Sequence, residues 1–350
     1  MRMVRCLCVV AAAGLAAPLA AQPKDKGIWI DPNDPTLPAD FKIQGEYAGE
    51  HMGAQVIALG KGTFQAVVLP GGLPGAGWDG KNKSLLAGKL DGDKAAFEPA
   101  KGTRKYLARK PEEFSATSKF PPVGQKDLTG TADGTTFKLR DEKGGEVELK
   151  KTTRVSPTMG TKAPAGGIVL FDGSNKDAWT GGRLDEKAHV LNTESGNITT
   201  KQNFNNYTAH LEFLLPFRPE ARGQERANSG FYQVLMYEVQ VLDSFGLDGK
   251  DNECGGVYTK KAPSVNMCLP PLVWQTYDAD FTNAVAEGGK VVKKARLTLK
   301  HNGVLVHDDI EINGKTGGSR GDPEGTPGPL LLQGHGNPVL YRNIWVVEKK

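Results

Sequence analysis

Tight-turn pairs between short apolar runs are the feature that most constrains how this chain can fold. In the first half, Asp91-Gly92, Asp133-Gly134 and Gly144-Gly145 alternate with strand-like runs such as residues 64–69. Asp-Gly and Gly-Gly pairs supply the positive φ angles that two-residue hairpins require. Because each run is long enough for only one strand, the pattern predicts a small β-rich accessory domain over residues 41–154.

The second half has the same short spacing and contains the strongest hairpin signal of the chain. Asn302-Gly303 stands between two alternating runs, which is typical of a tight hairpin turn. No long amphipathic helix interrupts the strand-like runs up to residue 347, and this favours two packed sheets. We therefore predict an all-β fold class, with a β-sandwich over residues 167–350 that follows the smaller β domain.

A segment rich in proline, glycine and threonine joins the two halves over residues 155–166. This composition is typical of an interdomain linker, and few contacts need to cross such a segment. We therefore expect residues 166–350 to fold, and to retain any activity, without residues 22–154.

The amino terminus has the pattern of a secretory signal peptide over residues 1–21. Arg2 and Arg5 precede an apolar, alanine-rich stretch that ends in small residues and is too short for a membrane span. After an extended lead-in over residues 22–40, no second long apolar stretch follows. We expect an exported protein, periplasmic or extracellular, with no membrane span in the mature chain. A formal charge of only +4 without a basic block argues against nucleic acid as a partner; protein partners are not indicated.

Two cysteines remain after the predicted signal peptide, Cys254 and Cys268. An exported chain with two cysteines most simply pairs them, so we predict a disulfide between them. A metal site is the alternative interpretation, but two thiols without a nearby histidine are weak support for it.

The alternation of strand residues places several polar side chains on shared faces. Glu238 and Gln240 point to one side of their strand, and Asp243 follows at its end. His210 and Glu212 share a face in another strand, as do Gln333 and His335 in a third. Glutamate, glutamine and histidine are suited to proton transfer and to binding oxygens or metals, although a solvated outer sheet face would show the same alternation.

Individual residues also have simpler interpretations. His335 lies between two glycines and is compatible with a turn, while Glu238 is compatible with an exposed strand position. Trp274 is compatible with a packing role, and Arg342 with a role in securing the last strand. The sequence contains no G-x-S-x-G, H-E-x-x-H or G-x-x-x-x-G-K-[ST] motif, so we expect no nucleotide cofactor.

A set of short motifs in the second half resembles the 3-keto-disaccharide hydrolase family, also described as 3-keto-glucoside 1,2-lyase/hydratase domains. The resemblance covers about residues 166–348 and implies a concanavalin A-like jelly roll. One departure is Gly334, where many relatives carry an acidic residue before the histidine. The motifs are Leu170-Phe171-Asp172-Gly173, Asn228-Ser229-Gly230, Tyr237 to Asp243, Trp274-Gln275-Thr276-Tyr277, Asn302-Gly303-Val304, Leu332 to Gly336 and Tyr341-Arg342-Asn343-Ile344.

The resemblance implies cleavage of a sugar that is oxidised at C3. The ketone acidifies the C2 proton, so a base can remove this proton while the substituent on C1 leaves, and hydration then gives the free 3-keto sugar. The residues we expect to act in catalysis are Glu238, His335, Asp243 and Glu212. Those we expect to bind the sugar are Gln240, Gln333, Trp274, Arg342 and Asn228.

A divalent cation such as Ca, Mn or Co is the cofactor that would suit this chemistry, with Glu238 and Asp243 as candidate ligands. Two other functions stay open at this point. One is a non-catalytic carbohydrate-binding jelly roll, because fold does not determine function. The other is a conventional glycoside hydrolase, for which Glu238 and Asp243 would form the carboxylate pair.

Overall fold

A computed structural model describes residues 27–349 of the chain. The predicted signal peptide lies outside these residues. Helical structure within them is limited to α1 (Ala39–Ile43) and one 3₁₀ turn (Gly223–Glu225). No helix in this part of the chain is long and apolar enough to cross a bilayer. The all-β fold class predicted from the turn pairs is confirmed.

The first ten strands build a closed eight-stranded barrel and a small parallel pair. The barrel order is β1-β10-β9-β8-β5-β4-β3-β2, and β6 pairs with β7. The bounds are β1 (Gly45–Ala48), β2 (Met52–Gly60), β3 (Thr63–Pro70), β4 (Ser84–Asp91), β5 (Lys94–Pro99), β6 (Lys105–Tyr106), β7 (Phe114–Ser115), β8 (Thr129–Ala132), β9 (Thr136–Arg140) and β10 (Glu146–Thr152).

Alternation of side chains fills the barrel interior. In β5, Ala95 and Phe97 are buried while Lys94 and Glu98 are exposed. The ring of Phe97 packs 4.9 Å from the ring of Phe137 on β9. This period of two is the reason the segment forms a barrel strand with one apolar face.

Thirteen of the remaining strands form two sheets that pack face to face, while β20 and β21 pair with each other as a separate two-stranded sheet. One sheet has the order β13-β14-β25-β16-β19-β22-β23 with β11 added beside β25, and the other has the order β12-β15-β24-β17-β18. The bounds are β11 (Ile168–Phe171), β12 (Trp179–Gly181), β13 (Arg183–Asp185), β14 (Val190–Asn192), β15 (Ile198–Thr200), β16 (Tyr207–Leu214), β17 (Asn228–Gln233), β18 (Tyr237–Leu242), β19 (Trp274–Thr282), β20 (Val285–Glu287), β21 (Lys290–Lys293), β22 (Ala295–His301), β23 (Val304–Ile312), β24 (Leu331–Leu332) and β25 (Leu340–Glu348).

The core of this β-sandwich lies between the two sheets. Leu211 and Phe213 of β16 and Val239 and Val241 of β18 belong to one buried apolar cluster. The predicted hairpin at Asn302-Gly303 is confirmed, because it joins β22 to β23 with positive φ at both turn residues.

The barrel packs tightly against the sandwich, which contradicts the expectation of few contacts across the linker. Strand β2 is buried on both sides: Val56 faces the barrel interior, whereas Ile57 and Leu59 belong to the sandwich core cluster. The Arg222 guanidinium donates to the Leu59 carbonyl at 2.8 Å. The composition of the linker was a poor guide, because the contacts are made by strands and loops elsewhere in the chain.

The predicted disulfide is wrong: Cys254 and Cys268 are free thiols in the structure. Both lie in the apolar core, where a thiol packs as a small apolar side chain. The Cys268 thiol donates to the Leu242 carbonyl at 3.5 Å, and the Cys254 sulfur lies 3.2 Å from the Tyr277 hydroxyl. The two thiols are nevertheless neighbours in the core. Burial and a hydrogen bond between them raise the pKa of Cys268, and the same hydrogen bond, against the effect of burial, lowers the pKa of Cys254.

Candidate functional site

A cluster of polar side chains covers the outer face of the five-stranded sheet. In β18, Val239 and Val241 point into the core, so Glu238 and Gln240 point to the opposite face. Both are nevertheless buried, with exposed fractions of 3% for Glu238 and 1% for Gln240. A carboxyl and an amide held away from water in this way are unlike an ordinary solvated sheet face.

Glu238 is held by the neighbouring strand β17. Tyr232 lies directly across from Glu238, and its hydroxyl donates to Glu238 Oε2 at 2.8 Å. Gly230 makes room for the carboxyl, because a Cβ at that position would lie 2.2 Å from Glu238 Oε1. Burial raises the pKa of Glu238 to about 7, although the Tyr232 hydrogen bond partly opposes this.

Tyr232 connects Glu238 to the adjoining strand and to the loop of residues 313–321 that follows β23. Gln333 Nε2 lies 3.4 Å from the Tyr232 hydroxyl, and the Gly317 carbonyl lies 3.1 Å from it. Burial and the neighbouring Glu238 raise the pKa of Tyr232 well above its ordinary value, so the phenol remains a neutral donor. The sequence analysis missed Tyr232. A signal was available in the alternation of β17, because Tyr232 lies two and four positions after Gly230 and Asn228 and therefore shares their face of the strand.

The turn between β17 and β18 aligns Tyr232 with Glu238 without the usual turn residues. Val234 and Leu235 adopt φ angles of 45° and 61°, and the Met236 N–H donates to the Gln233 carbonyl at 2.9 Å. Left-handed backbone is costly for a β-branched residue such as valine. The loop that follows β23 helps to hold this turn, since the Arg320 N–H donates to the Leu235 carbonyl at 3.0 Å.

A second set of polar groups extends along the same face. Gln240 Nε2 donates to Asn228 Oδ1 at 2.8 Å, and Asn228 Nδ2 donates to Gln224 Oε1 at 2.9 Å. The structure therefore brings together four of the predicted site residues: Glu238, Gln240, Asn228 and Gln333.

The face is almost closed in this conformation. The hollow beside Tyr232 has a volume of about 10 Å³ and is lined by Gln333, Gly318 and Arg320, among others. Such a space holds about one water molecule. Thr316 in the covering loop accepts a hydrogen bond from the Glu238 N–H at 2.9 Å. We define residues 313–321 as the covering loop; a sugar could reach Glu238 only after this loop moves.

Asp243 does not join this cluster. Arg226 Nε donates to Asp243 Oδ2 at 2.6 Å, and both side chains are buried. Arg226 also donates to the Ala58 carbonyl of the barrel at 3.1 Å. The Asp243 carboxylate thus neutralises a buried arginine at the contact between barrel and sandwich, and this pairing removes it from the set around Glu238.

The residues present do not fit the predicted divalent cation. Among residues 27–349, no group of three or more histidine, cysteine, aspartate or glutamate side chains is placed to hold a metal ion. The proposed ligands Glu238 and Asp243 are engaged separately, by Tyr232 and by Arg226. We therefore derive no catalytic step that depends on a metal.

The other side of the sandwich holds three of the predicted site residues, Glu212, Arg342 and Trp274. The predicted residues therefore do not all share one polar face. Arg342 Nε donates to Glu212 Oε2 at 2.7 Å, and the Arg342 guanidinium lies over the Trp274 ring at 4.0 Å. Because Leu211 fills the core from the same strand as Glu212, Glu212 points away from Glu238. Alternation within a strand cannot reveal which sheet that strand joins.

The linker closes over Glu212. The Gly160 N–H donates to Glu212 Oε1 at 2.6 Å, and Asn343 Nδ2 donates to the same oxygen at 2.8 Å. Burial alone would raise the pKa of Glu212, but hydrogen bonds from His210, Asn343, Gly160 and Arg342 bring it down to about 2. These contacts indicate that Glu212 anchors the linker.

His335 is exposed beyond the end of β24, two positions after Gln333. Gly334 between them packs so closely on the turn at Gly196 that a Cβ would lie 2.2 Å from the Gly196 carbonyl carbon. An acidic residue at position 334, as the resemblance would suggest, cannot fit without movement of that turn. The departure from the family pattern therefore has a local steric cause.

Comparison with known families places the protein among carbohydrate-active enzymes. The particular family is that of the 3-keto-alpha-glucoside-1,2-lyase-like domain, whose model matches residues 166–347. This match spans more than half of the chain, and the chain belongs to this family. The resemblance stated from the short motifs is confirmed.

Two solved structures from Parabacteroides distasonis are also similar to the chain, and both are described as putative glycosyl hydrolases. The first is 33% identical, with 54% of this chain and 86% of that chain covered and a TM-score of 0.49. The second is 17% identical, with 53% and 95% covered and a TM-score of 0.40. No curated protein matched the chain.

Proposed function

We propose that the protein cleaves 3-keto-glycosides by elimination across C1 and C2, followed by hydration. The observation that carries this proposal is the buried Glu238 carboxyl, whose pKa of about 7 suits a base that must gain and release a proton near neutral pH. The family match over residues 166–347 supports the substrate class.

In the first step, Glu238 takes the proton from C2. The C2–H electron pair forms the C1=C2 double bond, the C1–O bond breaks, and the departing oxygen receives a proton. The C3 ketone accepts charge as the C2–H bond weakens. Tyr232 is the proposed donor to the C3 oxygen, because it is a neutral phenol beside Glu238; its single hydroxyl proton would turn from Glu238 Oε2 to the C3 oxygen when the sugar binds.

In the second step, water adds to C1 of the unsaturated keto sugar and a proton returns to C2, so the net reaction is hydrolysis. Gln240, Asn228 and Gln333 are the proposed partners of the sugar hydroxyls. His335 is the proposed proton source for the departing oxygen, since it is exposed just beyond Gln333. We also propose export, on the basis of residues 1–21.

A conventional glycoside hydrolase fits these contacts less well. That reaction uses two carboxyl groups on either side of the bond that breaks. Within the described residues, the hydrogen-bonded cluster around Glu238 contains no second carboxyl group, because Asp243 pairs with Arg226 and Glu212 with Arg342.

The direct test compares a 3-keto-glucoside with its unoxidised parent sugar. We expect release of the C1 substituent only from the keto sugar. Glu238→Gln should lower this turnover by about 10²–10⁴-fold, the range for loss of a general base. Glu212→Gln is the matched control, because it changes another buried carboxyl on the opposite side of the sandwich.

Three results would contradict the proposal. They are cleavage of the parent glucoside at a similar rate, absence of cleavage of both sugars, and a folded Glu238→Gln variant with normal turnover.

A further inference from the structure

The small hollow beside Tyr232 has the dimensions of a site for one oxygen atom. Its volume is about 10 Å³, close to the space that a single water molecule requires. Gly318 of the covering loop keeps the hollow open, because a Cβ at that position would lie 2.7 Å from the Tyr232 hydroxyl oxygen and 4.0 Å from Gln333 Nε2. An oxygen atom placed here would contact the side chains of Tyr232 and Gln333.

The groups around this hollow are suited to an oxygen that carries negative charge. Tyr232 supplies a hydroxyl and Gln333 supplies an amide, whose Nε2 lies 3.4 Å from that hydroxyl. Asn197 and Arg320 complete the polar part of the wall. Among the residues that the structure describes, Arg320 is the one charged residue at the hollow, since no aspartate or glutamate lines it.

Arg320 is anchored by its main chain, which leaves its exposed side chain free to contact a ligand. Its N–H donates to the Leu235 carbonyl of the β17–β18 turn at 3.0 Å. Within residues 27–349 no carboxylate pairs with the Arg320 guanidinium, whereas Arg342 is paired with Glu212 at 2.7 Å. A guanidinium stays charged in proteins and offers several N–H donors. Arg320 therefore adds an uncompensated cation to the wall of the hollow.

The proposed reaction moves negative charge toward this hollow. When ionised Glu238 takes the C2 proton, its charge passes to the C3 oxygen, and a donor held at that oxygen lowers the barrier. Tyr232 lies between the two positions, because its hydroxyl is 2.8 Å from Glu238 Oε2 and also borders the hollow. The charge of Arg320 acts on this hydroxyl, since it opposes the rise in the Tyr232 pKa that burial and Glu238 cause.

We propose that the hollow receives the C3 oxygen of the 3-keto sugar, and that Arg320 is a further catalytic residue that donates to this oxygen as it becomes negative. Because Arg320 and Gly318 belong to the covering loop, the oxygen site is complete only when the loop has closed over the sugar. The inference rests on the proposed function, but it concerns removal of the C2 proton and not departure of the C1 substituent.

The test isolates proton removal by using 3-keto-1,5-anhydroglucitol, a keto sugar without a glycosidic substituent, in D₂O. Glu238 takes the C2 proton, the C2–H electron pair forms a C2=C3 double bond, and the π pair of the ketone moves to the C3 oxygen. Return of a deuteron to C2 restores the ketone. Loss of the C2–H signal in the proton NMR spectrum therefore measures this step in the full-length mature chain.

We expect the wild-type protein to catalyse this exchange. Arg320→Gln should slow the exchange, and also kcat for cleavage of a 3-keto-glucoside, by at least about 10²-fold, the effect of losing one donor to an oxyanion. Arg320→Lys keeps a cation and should recover part of the loss. Lys290→Gln is the matched control, because Lys290 is an exposed residue of β21 that does not line the hollow.

A second pair of variants tests the hollow itself. Gly318 and Gly314 both lie in the covering loop, with φ angles of 74° and 73°, so alanine incurs a similar left-handed backbone cost at either position. Gly318→Ala fills the hollow, whereas Gly314 has open space around its Cβ position. Gly318→Ala should therefore exchange C2–H at least about tenfold more slowly than Gly314→Ala, a difference of about 1.4 kcal/mol in the barrier.

The results distinguish failure of this inference from failure of the proposed function. If the wild-type protein exchanges C2–H but does not release the C1 substituent of a 3-keto-glucoside, and both pairs of variants differ as expected, the cleavage proposal fails and the inference stands. The inference is overturned if Arg320→Gln exchanges as fast as Lys290→Gln, or if Gly318→Ala exchanges as fast as Gly314→Ala. Absence of exchange by the wild-type protein also overturns it, whatever the result with the 3-keto-glucoside.

Discussion

At the residue scale, the protonation of Glu238 links folding to the proposed reaction. Its pKa is about 7 in the folded protein, against an ordinary value of 4.5. Between these values the folded state holds a proton that the unfolded state has released, so the free energy of unfolding falls as the pH rises through this window. The base required by the reaction forms at the upper end of the same window.

This coupling predicts opposite pH profiles for activity and stability. In the wild-type protein, kcat/KM for a 3-keto-glucoside should rise to a plateau with a midpoint near pH 7. Glu238→Gln cannot titrate, so its stability advantage over the wild type should grow between pH 4.5 and 7, by on the order of 3 kcal/mol. Urea unfolding of both proteins across this range measures the difference, and parallel stability curves would show that burial does not shift the pKa of Glu238.

Replacing Glu212 by glutamine is expected to change stability in the opposite direction to Glu238→Gln, although the carboxyl groups of Glu212 and Glu238 are both buried. It accepts hydrogen bonds from Arg342 and from the linker at Gly160. Glu212→Gln should therefore lower the free energy of unfolding, because it removes the charge from a buried pair and weakens charge-assisted hydrogen bonds worth about 1.5–3 kcal/mol each. Turnover per folded molecule should stay near the wild-type value. A hundredfold loss of kcat with unchanged stability would instead place Glu212 in the reaction.

At the element scale, the turn between β22 and β23 supports the linker as well as the hairpin. Gly303 has a φ of 78°, and a Cβ there would lie 2.4 Å from Pro157 Cγ. Gly288, in the turn between β20 and β21, has a φ of 55° with open space around its Cβ position. Both glycines therefore need a backbone with positive φ, but of the two Gly303 alone lies against the linker.

We predict that Gly303→Ala destabilises the protein more than Gly288→Ala does. Each variant incurs the left-handed backbone cost of about 1–2 kcal/mol, and Gly303→Ala additionally displaces Pro157. Thermal unfolding of the two variants gives the comparison. Equal losses would mean that the linker moves away from the turn at no cost.

Strand patterning made part of this architecture predictable. The alternation in β18 correctly placed Glu238 and Gln240 on one face, and Asn302-Gly303 correctly marked a hairpin. Tyr232 was missed because the turn at Val234 and Leu235 contains no glycine, asparagine or aspartate, so the pairing of β17 with β18 had no local signal.

Contacts that depend on tertiary packing were not predictable from the sequence. The pairing of Asp243 with Arg226 joins residues on separate segments, and alternation did not distinguish the sheet of Glu212 from that of Glu238. The apolar run in β2 did carry usable information, because Val56, Ile57 and Leu59 leave no polar face. Continuous apolar strands of this kind indicate burial on both sides.

At the scale of the whole molecule, the barrel and the sandwich share a continuous apolar cluster. Ile57 on the barrel wall and Phe245 near the end of β18 both belong to it. A Cβ on the adjacent Gly246 would lie 2.7 Å from Ile57 Cδ1, so the two surfaces are in close contact. Arg222 and Arg226 add hydrogen bonds to barrel carbonyl groups. Separation of the two parts would expose this apolar surface and leave both buried arginines without these acceptors.

We therefore predict that the full-length mature chain unfolds in one cooperative calorimetric transition, and that residues 166–350 alone melt at a lower temperature or aggregate. Ile57→Ala should lower the single transition, since loss of a buried isoleucine side chain costs about 2–5 kcal/mol. Val147→Ala is the matched control, because Val147 is an exposed barrel residue, and it should leave the transition nearly unchanged. Two resolved transitions in the wild-type protein, or an isolated 166–350 fragment with the full melting temperature, would contradict this prediction and restore the independence first expected from the linker.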